Sequence, residues 1–234
     1  MFTFLAQCRL CRQPLYDSHH GICSHCLRRL PPPPCCCPRC GLPAASASLP
    51  CGRCLQHPPP WHALLFVSDY RPPLDGLIKQ LKFYGQGDIA PALARLLWLC
   101  WRQRYRQSAL SAPHSGFPPP DLLLTVPLHR GRQWRRGYNQ TALLAAPLAR
   151  WLNCGYVADG LTRTRPTPPQ RSLTASARRR NLRGAFSCTL PLAGKRIVVL
   201  DDVVTTGSTM AEIGRVLLRQ GAAHIQVWCL CRTL

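Results

Sequence analysis

From residue 61 onward the apolar positions follow two alternating rhythms. Residues 63–70 form a nearly unbroken apolar run, which predicts a buried strand. Residues 75–84 and 89–104 space their apolar side chains three and four apart and predict helices. Residues 107–120, punctuated by proline and glycine, predict a loop. The rhythm then resumes, with a short strand over 121–126, an amphipathic helix over 138–152, a β-branched strand over 195–200, a helix over 209–220 and a closing strand over 225–231. Thr209 and Glu212 stand at capping-box spacing at the start of that last helix. Strands alternating with helices predict an α/β domain with a mostly parallel sheet flanked by helices.

The first 57 residues carry no such rhythm. Prolines 31–34 divide them in half, and the polar, proline-rich residues 56–60 suit a stiff linker. The expected organisation is a small module over 1–57 followed by the α/β domain over 58–234, and 234 residues with 46% apolar content can bury one core of that size. The longest apolar runs are a few residues, against the roughly 20 that a spanning helix needs. The opening MFTFLAQCRLCR has neither a basic start nor an apolar stretch of signal-peptide length, so a cytoplasmic, reducing location is expected.

A reducing compartment leaves fifteen cysteines to be explained without disulfides. Eight of them form four C-x2-C pairs, Cys8/Cys11, Cys23/Cys26, Cys37/Cys40 and Cys51/Cys54. Each pair can present two thiolates to one ion, so the pattern predicts two structural Zn2+ sites and a double zinc ribbon. Adjacent and crossed pairings are both compatible with the spacing. Cys35 and Cys36 are spare, and the five later cysteines lie in apolar stretches as buried thiols. No internal repeat shows beyond the knuckles, and metal is expected to supply most of the module's folding free energy.

Charge adds a second theme. Thirty Lys and Arg stand against nine Asp and Glu, a formal charge of +21, which suits polyanionic ligands, single- or double-stranded DNA included. Six scattered tryptophans make no stacking platform.

The chemistry concentrates in IVVLDDVVTTGST, residues 197–209. A strand delivers two acids, then small hydroxyl residues and a glycine, then a helix, at the carboxyl edge where open α/β sheets bind ligands. Thr205, Thr206, Gly207, Ser208 and Thr209 can cradle one phosphate with hydroxyls, backbone N–H groups and a helix N-terminus. Asp201 and Asp202 beside them can accept from a vicinal diol. Phosphate plus diol describes a ribose 5-phosphate.

On these residues the chain resembles the type I phosphoribosyltransferases. VPLHRGRQWRRGYNQTALLA (126–145), RTRPTPPQRSLTASARRRNLRGAF (163–186), the 75–84 helix with Lys82 and the double ribbon narrow the resemblance to the ComF/GntX family, and the ending QVWCLCRTL with the ribbon's GLPA and LPCGRCLQ resembles its GntX branch. The resemblance implies a type I phosphoribosyltransferase-like fold, a phosphoribosyl pyrophosphate or nucleotide ligand bound with Mg2+, and a link to DNA uptake machinery or the use of DNA as nutrient. It makes residues 127–137 the pyrophosphate loop, with Arg130, Arg132, Arg135 and Arg136 as candidates to hold the leaving group, and gives Arg136, Asn139 and Gln140 to the RGYNQ element. It makes 163–183 a long loop that closes over substrate, with Gln170, Arg178 and Asn181. Catalytic roles then fall to Asp201, Asp202, Arg136 and Arg178, and Lys82 joins the ligand-binding set. One departure stands out, because Thr205 occupies the position where 6-oxopurine enzymes carry an acid that can serve as general base; that argues against this substrate class. Three functions fit the pattern: phosphoribosyl transfer to or from a base-like acceptor, a DNA-handling adaptor that uses the basic face and ribbon, and a sensor of the sugar pyrophosphate without turnover.

Overall fold

The structure, a computed structural model, describes residues 6–16, 21–111, 117–128, 138–164 and 182–234. Two short helices, α1 (Ser24–Arg28) and α2 (Gly52–Gln56), belong to the cysteine-rich module. Then follow β1 (Ala63–Asp69), α3 (Leu74–Phe83), α4 (Ala90–Ser111), β2 (Leu122–Thr125), α5 (Gln140–Leu152), β3 (Gly155–Tyr156), β4 (Thr162–Arg163), β5 (Phe186–Ser187), β6 (Arg196–Val204), α6 (Ser208–Arg219) and β7 (His224–Arg232). Five strands pair in parallel in the order β1-β7-β6-β2-β3, and β4 and β5 form a separate antiparallel ribbon.

Apolar side chains cover both faces of the sheet. One cluster packs Leu77, Ile78 and Leu81 of α3, Leu93 and Leu97 of α4 and Leu144 and Leu148 of α5 against Val198, Leu200 and Trp228. The other packs Met210, Ile213 and Leu217 of α6 and Phe186 of the ribbon against Ile197, Val199 and Val227. The chain leaves β2 for β3 in one direction and β6 for β7 in the other. The strand order therefore reverses between β2 and β6, which makes the crevice at their carboxyl ends the expected ligand position.

Four local expectations are corrected. The second helix runs to Ser111 rather than residue 104, so the loop is shorter. The sixth strand does not stop at residue 200 but carries on through both aspartates, because β7 continues the ladder beside it at Val203–Cys231 and Val204–Arg232. No capping box starts α6; Gly207, at φ 75°, is the N-cap, a left-handed conformation that suits a residue without Cβ. Glu212 instead accepts from the Gly184 N–H at 2.8 Å and from Arg215 at 3.0 Å.

The module is also more repetitive and better seated than its sequence indicates. Its halves share one backbone plan: Cys8 N–H donates to the Gln13 carbonyl and Cys37 N–H to that of Leu42, Arg12 N–H to Cys8 and Gly41 N–H to Cys37, and Leu15 N–H to Ala6 and Ala44 N–H to Cys35. Side chains outside the knuckles hide the duplication. Cys8, Leu15 and Ile22 lie in the same core as α3 and α4, so the module does have an apolar core, borrowed from the sheet domain. Pro60 of the supposed linker is packed down too, since a Cβ on Gly214 of α6 would fall 2.2 Å from its carbonyl oxygen.

At the opposite end of the sheet from the crevice, His62 and His224 stack with ring centroids 4.5 Å apart. Burial, with help from the charges of His62 and Arg196, pulls His224 down to about 4. The folded state then binds fewer protons than the unfolded chain between that value and the ordinary histidine pKa of about 6.5, so this contribution is complete above about pH 6.5 and is lost as pH falls towards 4. His224→Phe is expected to flatten that part of the stability profile, as read from urea unfolding midpoints along a pH series.

Candidate functional site

Three residues far apart in sequence meet at the crevice. Lys82, at the end of α3, places Nζ 2.7 Å from Asp202 Oδ1, and Gln140, opening α5, donates from Nε2 to Asp202 Oδ2 at 2.7 Å. The Asp202 side chain is 6% exposed and that of Lys82 18%, so the pair is largely out of water. Asp201 has a different environment: it is half-buried and accepts from the Asp202 N–H at 2.8 Å. The two acids are therefore not a matched pair of open acceptors, because neighbours on a strand leave on opposite faces.

The loop after β6 lies beside this pair. Thr205 and Thr206 are exposed, and Thr206 Oγ1 and Ser208 Oγ are 2.9 Å apart. Gly207, Ser208 and Thr209 are half-buried at the start of α6. Hydroxyls, loop N–H groups and a helix N-terminus at one point favour an anion. Asn139 has a building role here: its Oδ1 accepts from the Thr141 N–H at 3.1 Å as N-cap of α5, and its Nδ2 donates to the Val126 carbonyl at 3.2 Å. Together these bonds point the α5 N-terminus, and hence Gln140, at the crevice.

Arg130, Arg132, Arg135, Arg136, Gln170, Arg178 and Asn181 lie outside the described residues. Three contributors were not singled out from the sequence. Tyr138 donates from its hydroxyl to the Leu81 carbonyl at 2.7 Å, bracing the α3 end that carries Lys82. Arg232 donates to the carbonyls of Val204 and Thr205, and the Trp61 ring faces Gly207. Signals existed for Tyr138, which sits inside the RGYNQ element, and for Arg232, a cation ending an apolar strand; none existed for Trp61.

The cysteine pairings are adjacent. Cys8, Cys11, Cys23 and Cys26 converge, as do Cys37, Cys40, Cys51 and Cys54, with all four sulfurs of each group within 4.8 Å of one another. Cys11 and Cys23 Sγ are 3.8 Å apart, as are those of Cys40 and Cys51. A tetrahedron with Zn–S bonds of about 2.3 Å has edges of about 3.8 Å, so both groups fit zinc. Backbone N–H groups of Cys23 and Cys51 donate to Cys8 Sγ and Cys37 Sγ, each at 3.3 Å. Although burial pushes Cys8 up, backbone donors led by Cys11 and Cys23 hold it down at about 6, which favours the thiolate a metal requires. Cys35 and Cys36 belong to neither group. Among the described residues no helix is long and apolar enough to cross a membrane.

Comparison with known proteins places the chain in a family. The phosphoribosyl transferase domain family model matches residues 140–234. The chain is similar to the DNA utilization protein YhgH of Salmonella typhi, 54% identical over the whole of both chains. It is also similar to competence protein F of Haemophilus influenzae, 38% identical over 99% of each. Among solved structures, a purine phosphoribosyltransferase from Pyrococcus horikoshii is 18% identical with a TM-score of 0.34, covering 64% of this chain and 75% of that one.

Proposed function

This chain belongs to the ComF family, and from that premise we propose that it binds phosphoribosyl pyrophosphate, or a related ribose 5-phosphate ligand, at the β2–β6 crevice and serves the uptake or use of DNA. The observation that carries the proposal is the meeting of Lys82, Gln140 and Asp202 beside the Thr205–Thr209 loop. The loop offers an anion cradle for the phosphate, and the buried Asp202, held by two donors, fixes the strand end that carries its neighbour. Asp201, with its carboxylate half-buried at the same strand end, is the ribose-side acceptor.

Mg2+ would arrive with the pyrophosphate. Among the described residues only the cysteine tetrads gather three or more metal-ligating side chains, so the ligand's own oxygens would supply most of its coordination, and Asp201 is the carboxylate that would help to hold it. When bound, the ion neutralises pyrophosphate charge. The chain's own part is to orient the sugar and spread the leaving group's charge. In transfer, the bond from ribose C1 to pyrophosphate breaks and a nitrogen of the acceptor bonds to C1, with pyrophosphate departing as the anion. Arginines of the 127–137 segment are proposed to receive it.

Each tetrad is proposed to hold one Zn2+, and because that needs eight reduced thiolates the proposed setting is reducing and cytoplasmic. The charge of +21 favours a second reading, in which DNA binds the basic surface and the crevice senses the sugar phosphate. Calorimetry with phosphoribosyl pyrophosphate and Mg2+ on the zinc-loaded protein tests the first reading. Binding is expected, together with its loss in the Asp201→Asn/Asp202→Asn variant. A folded wild type that takes up no ligand rejects this reading and leaves the DNA adaptor.

A further inference from the structure

The Cys37–Cys40 knuckle of the second tetrad is joined to the phosphate loop by two side chains, Arg232 and Trp61. Arg232, at the end of β7, is 4% exposed. Its Nε donates to the Cys40 carbonyl at 3.1 Å, and its Nη1 donates to the carbonyls of Val204 at 3.1 Å, Thr233 at 2.9 Å and Thr205. Trp61 forms an independent bridge. Its Nε1 donates to the Arg39 carbonyl at 2.6 Å, while its ring stands so close to Gly207 that an added Cβ would lie 3.3 Å from Cη2. Arg39 and Cys40 belong to the knuckle; Thr205 and Gly207 belong to the loop.

A guanidinium holds its donors in one rigid plane, so the carbonyls it joins keep fixed mutual positions. The Cys40 carbonyl is positioned in turn by its own sulfur, which converges with those of Cys37, Cys51 and Cys54. If that convergence is lost, the knuckle can move, and the buried Arg232 must either follow it or leave carbonyls unsatisfied. The first tetrad has no such path: among the described residues no hydrogen bond joins Cys8, Cys11, Cys23 or Cys26 to residues 204–209.

We propose that the second tetrad, through Arg232 and Trp61, positions the phosphate loop, so that metal loading there, and not at the first tetrad, sets affinity for the phosphorylated ligand. This rests on the ligand reading above. Arg232 and Trp61 are positioning residues, since they touch the loop rather than the ligand. Coupling between two sites is reciprocal, so bound ligand must also strengthen the hold on metal at the second tetrad.

The test challenges the zinc-loaded full chain with a colour-forming zinc chelator, with and without phosphoribosyl pyrophosphate in excess Mg2+. Release is expected in two phases, one slowed about fivefold or more by the ligand and the other unchanged. Cys11→Ser weakens the first tetrad, speeds the unchanged phase and so identifies it. Arg232→Lys keeps the charge but loses the fork; its ligand affinity is expected to fall about tenfold by calorimetry, and the ligand's protection of zinc to vanish with both equivalents still bound. Trp61→Phe keeps a ring beside Gly207 but loses the donor to Arg39. It is expected to move both readouts the same way by a smaller factor, and it carries the test should Arg232→Lys not fold. Ligand that binds wild type yet slows neither phase, or slows both alike, overturns the coupling and leaves the ligand reading standing. No ligand binding at all removes both.

Discussion

Lys82→Met is expected to lower the unfolding free energy by about 3 kcal/mol, the lower end of what removing one partner of a buried ion pair costs. The reason lies in what stays behind. Asp202, with a side chain 6% exposed, would keep one donor, the Gln140 amide, in place of an amide and a cation. Adding Asp202→Asn to Lys82→Met removes the stranded charge while leaving an oxygen for Gln140, so the double variant should recover most of the loss. Urea unfolding of the four proteins of the cycle measures both quantities. A single-variant cost below about 1 kcal/mol would place the pair with exposed ion pairs, which contribute little, and would remove it as the organiser of the crevice.

Stripping the metal from both tetrads is expected to destabilise the whole chain in one transition, rather than the first 57 residues alone. Cys8, Leu15 and Ile22 share a core with Ile78, Leu93 and Trp228, and Arg232 and Trp61 bond the second knuckle to the sheet domain. A module that unravels would therefore uncover α4 and release the end of β7. Structural zinc contributes roughly 10–16 kcal/mol in isolated fingers; if only about 5 kcal/mol of that is felt here, Tm would drop by about 10–20 °C. Scanning calorimetry with and without a strong chelator measures the shift. A main transition that keeps its Tm would show the module to be a tethered bead and would contradict the shared core.

Much of this protein was legible because the relevant information is local. The strand that became β1 and the helix that became α3 follow from periodicities that need only their own residues. Cysteine knuckles and the 201–209 loop are likewise contiguous, so the residue types at fixed short spacing already point to a metal and a phosphate as candidate ligands. Lys82, Gln140 and Asp202 were each singled out from the sequence, but nothing in it states that they touch.

Local rules failed where a distant partner outweighed them. Two aspartates argue against a strand by composition, yet β6 continues through them because β7 supplies the ladder and Lys82 with Gln140 compensates the buried charge. Glu212 had the spacing of a cap but found the Gly184 N–H instead. By itself the sequence determined the alternation of strands and helices and singled out two candidate chemistries, metal at the cysteine knuckles and phosphate at one loop. Tertiary structure alone decided which knuckles share a centre, that the module shares the domain's core, and that Arg232 spans 192 positions to meet Cys40. The physical reason is that a side chain's partner is set by which strands lie side by side, and that order emerges only when the sheet closes its core.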